Sequence, residues 1–291
     1  MSLVLSVQSH VAYGYVGNRA AMIPLHALGH EVIELNTVGF SNHPGYGAFT
    51  GRVFTLDELS TLVSGLKAQG LFSQIDAVLT GYIGDQALGH LVMETLEQIR
   101  AENPKCLYCC DPVMGDVGRG FFVDEQTIPP FFRNAALKEA DLIVPNQFEA
   151  SYLANMEIND DGDALEALTR LHKAGARRVV MTSYQPPSLP PEQISMLVSE
   201  AESGVYQVIT PRLALDPMPN GAGDVTAATL LGHMLSGKTL QDALALTAAA
   251  LVDIFEVTQQ AGRRELHLIK AQSAFTAPSA SYELRRLCTA L

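Results

Sequence analysis

The chain has 291 residues, 47% of them hydrophobic, and its 31 acidic and 19 basic residues give a formal net charge of −12. Such an acidic chain is a poor partner for nucleic acid or an anionic membrane surface, although local backbone dipoles can still bind a small anion. The longest apolar run, residues 243–252, is far shorter than a membrane span, and no basic leader opens the chain. We expect a single domain over residues 1–291 that works in the cytoplasm.

The first half of the chain alternates short apolar segments with helical patterns, which is typical of an α/β fold. Strands are predicted at 3–7, 31–35, 76–80 and 105–110, and helices at 18–28, 56–71, 87–101 and 131–138. Polar residues follow three of these strands, namely Gln8-Ser9-His10, Gly81-Tyr82 and Asp111-Pro112. They would lie at the carboxyl ends of the strands, where open α/β sheets bind ligands.

A segment rich in glycine and aromatic residues, 36–47, contains the lone His43. Its composition favours a loop that covers a substrate over an element that packs in the core. A histidine on an ordinary surface loop is the alternative, and the residues alone leave it open.

The second half of the chain continues the alternation. Strands are predicted at 142–144, 178–182, 194–198 and 205–209, and helices at 163–174, 224–235 and 240–256. The rest, to residue 291, is predicted to be helical and peripheral. Asn146 and Glu149 stand three residues apart at a further helix start, where they could act together on a metal or phosphate. An equally economical alternative is a capping box, with Asn146 as the N-cap.

The segment Pro219-Asn220-Gly221-Ala222-Gly223-Asp224 predicts a tight turn that leads into a helix. Glycine permits unusual backbone angles and the close approach of a ligand. The free N–H groups of the first helical turn can then bind an anion. A carboxylate beside an anion site is electrostatically unfavourable. The alternative is therefore that Asp224 is a structural N-cap after a pair of loop glycines, with no catalytic role. The segment by itself does not decide between them.

Two further motifs are interpreted as structural. Cys106 and Cys109 have a C-x-x-C spacing, but on a strand they would point to opposite faces, so we predict buried free thiols. Residues 232–239 match the nucleotide-binding pattern G-x-x-x-x-G-K-[ST], which requires a preceding strand. A predicted helix precedes Gly232 instead, and we expect Lys238 to lie on the surface.

Taken together, three motifs resemble the ribokinase-like superfamily of small-molecule kinases: Gly221-Ala222-Gly223-Asp224, Asn146-x-x-Glu149 and Asp111-Pro-Val-Met-Gly. Gln8-Ser9-His10, residues 14–18 and Ser41-Asn42-His43 resemble the pyridoxal kinases in particular. The match runs along nearly the whole chain in the family's order. It implies a mostly parallel central sheet with helices on both faces, and a homodimer.

The resemblance also implies ATP-dependent phosphorylation of the 5′-hydroxymethyl group of pyridoxal, giving pyridoxal 5′-phosphate. Asp224 would be the base, and the N–H groups of Gly221, Ala222 and Gly223 would hold the phosphoryl group. Mg²⁺ would be supported by Glu149, with Asn146 and Asp111 nearby, while a monovalent cation is left open. Besides Asp224, pyridoxal would contact Ser9, His43 and Tyr82. The nucleotide would contact Asp111, Val144, Glu149, Thr182, Thr210, Pro211, Arg212 and Leu213.

Three departures from relatives are expected to matter. Thr182 stands where some relatives carry a lysine near the ATP phosphates, so Arg212 could take over that charge. The loop 118–122 lacks a cysteine that some relatives place near the substrate aldehyde. Pro44-Gly45 replaces more polar residues and could relax the choice among B6 vitamers. A kinase for another hydroxymethyl heterocycle such as hydroxymethylpyrimidine, or for a sugar, and a vitamer-binding protein with weak catalysis are the alternatives.

Overall fold

The structure is a computed structural model that describes residues 1–201 and 203–288. The strands in these residues are β1 Leu3–Val11, β2 Glu31–Phe40, β3 Gly51–Val53, β4 Ile75–Thr80, β5 Leu107–Cys110, β6 Gly115–Asp116, β7 Gly120–Phe121, β8 Leu142–Ile143, β9 Arg178–Tyr184, β10 Gln193–Glu200, β11 Gly204–Pro211 and β12 Leu284–Cys288. Within the described ranges, ten of them form one sheet in the order β12-β11-β10-β9-β8-β5-β4-β1-β2-β3. The neighbours from β9 to β2 in that order are parallel. The remaining pairs are antiparallel.

Helices cover both faces of this sheet, as the resemblance implied. They are α1 Asn18–Ala27, α2 Leu56–Ala68, α3 Gln86–Glu102, α4 Ile128–Phe131, α5 Leu137–Glu139, α6 Gln147–Ala154, α7 Asp161–Lys173, α8 Ala222–Leu235 and α9 Leu240–Gln260. A π-helical turn, Phe132–Ala136, joins α4 to α5. One buried core packs α2 to α7 against the sheet, and a second packs α1, α8 and α9 against the opposite face. No helix in the part of the chain that the structure describes is long and apolar enough to cross a membrane.

The sheet reverses its strand order beside β1. β1 pairs in parallel with β2 on one side and with β4 on the other, so successive crossovers leave in opposite directions. A crevice opens at the carboxyl ends of the strands wherever an α/β sheet has such a switch point. The loops after β1, β4, β5 and β8 therefore surround one crevice, and α8 lies on the face that borders it.

Two predicted strand ends were too early. β1 runs to Val11 and β2 to Phe40, where the sequence suggested ends at 7 and 35. The parallel ladder continues beyond residue 7 with a register shift between Gln8 and His10, so that Gln8 lies opposite Asn36 and Val11 opposite Phe40. β3 then adds to β2 as an antiparallel edge. Ser9 therefore lies on a strand, and the loop expected at 36–47 is shortened to the residues beyond Phe40.

The prediction of a helical, peripheral C-terminal region was wrong for the described residues beyond α9. This segment has one 3₁₀ turn, Gln272–Phe275, and then β12, which pairs with β11. Leu266, Leu268 and Phe275 are fully buried. Their spacing follows no helical period, and Pro278 prevents a continuous helix. Residues 289–291 of that prediction lie outside the described residues.

The prediction for the cysteines is confirmed. Cys106 and Cys109 are buried free thiols. Cys106 packs in the core on one face of the sheet and Cys109 in the core on the other. Burial raises the pKa of Cys106 to about 12 and the pKa of Cys109 well above its ordinary value. These thiols are structural and unreactive.

Candidate active site

The glycine turn at the start of α8 has a shape that only glycine fits. Gly221 is the N-cap with φ of 90°, and no side chain caps the helix there. A Cβ on Gly221 would lie 1.9 Å from the carbonyl oxygen of Tyr15. The interpretation of Asp224 as a structural N-cap was wrong, since α8 begins two residues earlier, at Ala222. The first-turn N–H groups are thus left for an anion.

Asp224 faces the loop that precedes α1. Its carboxylate accepts a hydrogen bond from the Gly17 N–H. Burial raises the pKa of Asp224 to about 6, although the N–H groups of Gly17 and of Asp224 itself act in the opposite direction. Gly17 in turn packs on Ser9, since a Cβ there would lie 2.4 Å from the Ser9 Oγ. Ser9 and Asp224 therefore lie on either side of Gly17.

A second carboxylate, Asp111, follows β5 and lies near the glycine turn. It is buried, and its Oδ2 has no hydrogen-bond partner in the structure. A Cβ added to Gly223 would lie 3.6 Å from that oxygen. Burial raises the pKa of Asp111, and the nearby negative charges of Glu149 and Asp224 raise it further. Asp111 is thus close enough to Glu149 and Asp224, from distant parts of the chain, for their negative charges to oppose its ionisation.

Asn146 and Glu149 form the capping box that was one of the two interpretations. The Asn146 Oδ1 accepts from the Glu149 N–H at 2.9 Å, and the Glu149 Oε2 accepts from the Asn146 N–H at 2.9 Å. Glu149 Oε1 also accepts from the Met114 N–H at 2.8 Å. Asn146 Nδ2 donates to the carbonyl of Gly115 at 2.8 Å. Burial raises the pKa of Glu149 despite these donors. The pair therefore fixes the loop after β5 against α6.

His43 and Tyr82 come from opposite sides of the crevice mouth. Tyr82 directly follows Gly81 after β4, and its carbonyl accepts from the Thr37 hydroxyl at 2.9 Å. His43 precedes a 3₁₀ turn, Pro44–Tyr46, and its Nδ1 accepts from the Gly45 N–H at 3.1 Å. Burial lowers the pKa of His43, and so do the positive charges of Arg119 and Arg264. The imidazole is therefore neutral near pH 7, and because its Nδ1 accepts from Gly45, its Nε2 carries the proton and can donate a hydrogen bond.

The residues expected to contact the nucleotide lie at the far side of the crevice. Val144 is buried after β8, and the Thr182 N–H donates to the Pro145 carbonyl at 2.8 Å. Thr210 and Pro211 end β11. Arg212 Nη1 donates to Gln185 Oε1 at 2.8 Å, and the Gln185 N–H faces Gln147 Oε1 at 3.4 Å. Leu213 follows, partly buried. Arg212 therefore connects to the start of α6, on the same edge as Thr182.

Two functional groups were missed in the sequence. The Gly17 N–H contacts Asp224 and the Met114 N–H contacts Glu149. Gly17 is the N-cap of α1 with φ of 54°, and a glycine directly before a predicted helix was the signal for it. The Met114 contact carries no side-chain signal, because it depends on the main chain alone.

The pattern at residues 232–239 is a coincidence, as expected. Gly232 lies inside α8, and the Thr239 side chain caps α9 by accepting from the Asp242 N–H at 3.1 Å. Lys238 is exposed between the two helices. We predict that Lys238→Ala leaves the KM for ATP within about twofold of the wild-type value, because the helix start it would need is capped by Thr239. Initial-rate kinetics with varied ATP measure this, and a tenfold higher KM would contradict it.

Comparison with known proteins shows the family to which the chain belongs. Residues 58–266 match the family model for phosphomethylpyrimidine kinase. The pyridoxal kinase PdxY of Rubrobacter xylanophilus is 45% identical over 98% of this chain and 97% of its own length. That of Corynebacterium diphtheriae is 39% identical over 98% of this chain and 99% of its own. The chain belongs to the phosphomethylpyrimidine kinase family, with the pyridoxal kinases.

Solved pyridoxal kinases share the whole fold. The Leishmania donovani pyridoxal kinase in complex with ADP and pyridoxamine superposes with a TM-score of 0.91 at 33% identity, covering 99% of this chain and 100% of its own. The enzyme of Entamoeba histolytica gives a TM-score of 0.90 at 26% identity, covering 99% and 100%. The ribokinase-like fold that the motifs implied is thereby confirmed for this pyridoxal kinase family member.

Proposed function

We propose that this protein transfers the γ-phosphoryl group of ATP to the 5′-hydroxymethyl group of pyridoxal, forming pyridoxal 5′-phosphate. One structural observation supports the proposal in addition to family membership. The carboxylate of Asp224 lies where the uncapped start of α8 meets the Ser9 side of the crevice. A phosphoryl group bound on α8 and a hydroxyl group bound near Ser9 would both reach that carboxylate.

Asp224 would orient the substrate hydroxyl and accept its proton. The N–H groups of Gly221, Ala222 and Gly223 would hold the oxygens of the phosphoryl group as charge redistributes among them. Phosphoryl transfer needs alignment and charge stabilisation more than covalent chemistry, so these groups suffice for the protein's part. Because the Gly17 N–H already holds Asp224, the carboxylate is oriented before substrate arrives.

The donor set of the crevice fits Mg²⁺. Asp111 offers a buried carboxylate oxygen with no protein partner, and hard oxygen ligands suit this ion. Both Glu149 oxygens already accept N–H groups, and both polar groups of the Asn146 side chain are engaged. No group of three or more His, Cys, Asp or Glu among the described residues is arranged to hold a metal, so most ligands of the ion would be water and phosphate oxygens.

Because Asp111, unlike Glu149, has a free carboxylate oxygen, we assign Asp111 as the direct ligand, with Glu149 acting through water and Asn146 holding Glu149. The bound ion would neutralise charge on the ATP phosphates.

The remaining residues divide between two substrates. Ser9, His43 and Tyr82 surround the side of the crevice assigned to pyridoxal, with the Nε2–H of the neutral His43 imidazole as a hydrogen-bond donor. Val144 and Thr182, together with residues 210–213, border the side assigned to ATP. A single catalytic domain over 1–291 is supported by one sheet that joins strands from both ends of the chain. We also propose a homodimer, as the resemblance implies, and a cytoplasmic location.

A second candidate is phosphorylation of hydroxymethylpyrimidine, because the matching family model carries the name phosphomethylpyrimidine kinase. A panel of pyridoxal, pyridoxine, pyridoxamine, hydroxymethylpyrimidine and ribose, each with ATP and Mg²⁺, separates the candidates. We expect the highest kcat/KM for one of the B6 vitamers. A higher value for hydroxymethylpyrimidine would favour the second candidate.

The pH dependence of the reaction should report Asp224. Its pKa is raised to about 6 in the folded protein, and a protonated carboxyl group cannot accept the hydroxyl proton. Activity is therefore present above that pH and lost below it, so kcat/KM should fall about tenfold per unit as the pH drops below about 6. A pH profile of kcat/KM measures this. The acid limb of Asp224→Asn should lack the contribution of Asp224 and keep only that of Asp111 and Glu149, whose pKa values are also raised. A profile unchanged from wild type would contradict the assignment.

A further inference from the structure

Two residues of the segment after α9 contact both loops at the crevice. Glu265 Oε2 accepts a hydrogen bond from the Tyr15 N–H at 3.0 Å, between residues 250 apart in sequence. Glu265 is only 8% exposed. The loop packs directly on this carboxylate, since a Cβ on Gly14 would lie 2.6 Å from Glu265 Oε2.

The loop held by Glu265, residues 14–17, is the one that supports the base. The Tyr15 carbonyl packs against Gly221, at a distance that excludes even a methyl group. Two residues later, the Gly17 N–H donates to Asp224. A displacement of Tyr15 would therefore reach both the anion-binding turn and the carboxylate that accepts the proton.

The neighbouring residue, Arg264, holds the other loop. Its Nη2 donates to the Gly45 carbonyl at 3.0 Å, and its guanidinium lies 3.7 Å from the centroid of the Tyr46 ring. Both partners belong to the 3₁₀ turn that directly follows His43. Together, the hydrogen bond and the cation–π contact fix the position of the turn.

Stability alone does not account for Glu265. Its Oε1 is buried without a hydrogen-bond partner, and burial raises the pKa of this carboxyl group even though the Tyr15 N–H and Arg19 lower it. Burying an incompletely paired carboxylate costs folding free energy. Such costs concentrate at functional sites, where geometry matters more than stability.

We propose that Arg264 and Glu265 form a clasp that positions the two substrate loops: Glu265 sets the base through residues 15–17, and Arg264 fixes the turn beside His43 over bound pyridoxal. They are positioning residues and touch neither substrate. The inference rests on the proposed function, since it assigns Asp224 as the base.

Two substitutions of Glu265 separate the effect of its negative charge from the effect of its side-chain length. Glu265→Gln keeps the length and an acceptor oxygen for the Tyr15 N–H, so we expect kcat to stay within about threefold of wild type. Glu265→Asp keeps the charge but is one methylene too short, and we expect kcat to fall about tenfold with the KM for pyridoxal within about threefold. The Gln variant losing more than tenfold, or the Asp variant losing nothing, would overturn the proposal. Because Gln preserves the packing, a large loss in the Gln variant overturns the proposal even if the Asp variant does not fold, and the Arg264 substitution below then tests the other half of the clasp.

A double-mutant cycle distinguishes positioning from general damage. If Glu265 acts through the base, Glu265→Asp should lower kcat by less than about threefold in an Asp224→Asn background. A loss as large as that in the wild-type background would show that Glu265 acts independently of Asp224, which contradicts the clasp.

Arg264 is tested against its neighbour of equal charge. Arg264→Ala should raise the KM for pyridoxal about tenfold and leave kcat within about threefold, because the turn beside His43 loses its anchor. The matched control is Arg263→Ala at an exposed position, for which both constants should stay within about twofold. Equal effects of the two substitutions would overturn the proposal. A wild-type protein that phosphorylates no vitamer would instead defeat the proposed function, so the two failures are distinguishable.

Discussion

Replacing Asp224 with Asn should lower kcat for pyridoxal phosphorylation by about 10²-fold or more, with binding of pyridoxal and ATP largely kept. Asn is nearly isosteric and retains an oxygen that can accept from the Gly17 N–H, so the loops should keep their positions. What is lost is the group that accepts the proton of the hydroxyl. Steady-state kinetics together with equilibrium binding of pyridoxal separate the two effects.

The next helix offers a matched control for this substitution. Asp242 occupies the third position of α9, as Asp224 occupies the third position of α8. Asp242→Asn makes the same chemical change in the same place on a helix, but at an exposed capping residue. We expect its kcat to remain within about twofold of wild type. An Asp224→Asn enzyme with a near-normal rate would remove Asp224 from the mechanism.

Gly221→Ala should reduce kcat/KM by about 10²-fold or more, because the turn cannot accept a side chain. An L-residue at φ of 90° costs roughly 1–2 kcal/mol, and its Cβ would lie 1.9 Å from the Tyr15 carbonyl oxygen. Either the anion-binding turn or the loop that holds Asp224 must move. Kinetics and thermal unfolding of the purified variant measure both consequences.

Two other glycines separate the two causes of this effect, backbone strain at positive φ and obstruction by the added methyl group. Gly237 has a similar φ of 83° with no atom within 4 Å of an added Cβ, so Gly237→Ala should lower stability without changing kcat/KM. An added Cβ on Gly223 meets only Asp111 Oδ2, at 3.6 Å. Gly223→Ala should therefore leave stability unchanged, yet lower activity about tenfold by obstructing the ligand that approaches the main chain. A Gly221→Ala enzyme with wild-type kcat/KM would contradict the role of this turn.

The candidate site could be predicted where its residues are close together in sequence. The turn at 219–224 joins glycines, a helix start and a carboxylate within six residues, and polar residues after strands marked the crevice. Asn146 and Glu149 show the limit of local patterns, because a capping box and a metal site use the same residue types at the same spacing. The structure shows the capping hydrogen bonds, which no count of residues could establish.

Contacts between distant segments could not be predicted from the sequence. The Tyr15–Glu265 bond joins residues 250 apart, and β12 pairs with β11 across more than seventy residues of intervening chain, as with Tyr206 and Arg286. Neither leaves a periodic pattern. The segment 263–268 was assigned to the periphery for this reason, although it contacts both loops of the crevice.

The most direct test of the whole account is the reaction itself. Purified protein is incubated with pyridoxal, ATP and Mg²⁺, and pyridoxal 5′-phosphate and ADP are quantified by chromatography, with Asp224→Asn assayed in parallel. We expect the two products to form in equal amounts with the wild-type protein and at least about 10²-fold more slowly with the variant. ATP consumption without pyridoxal 5′-phosphate, or equal rates for the two proteins, would contradict the account.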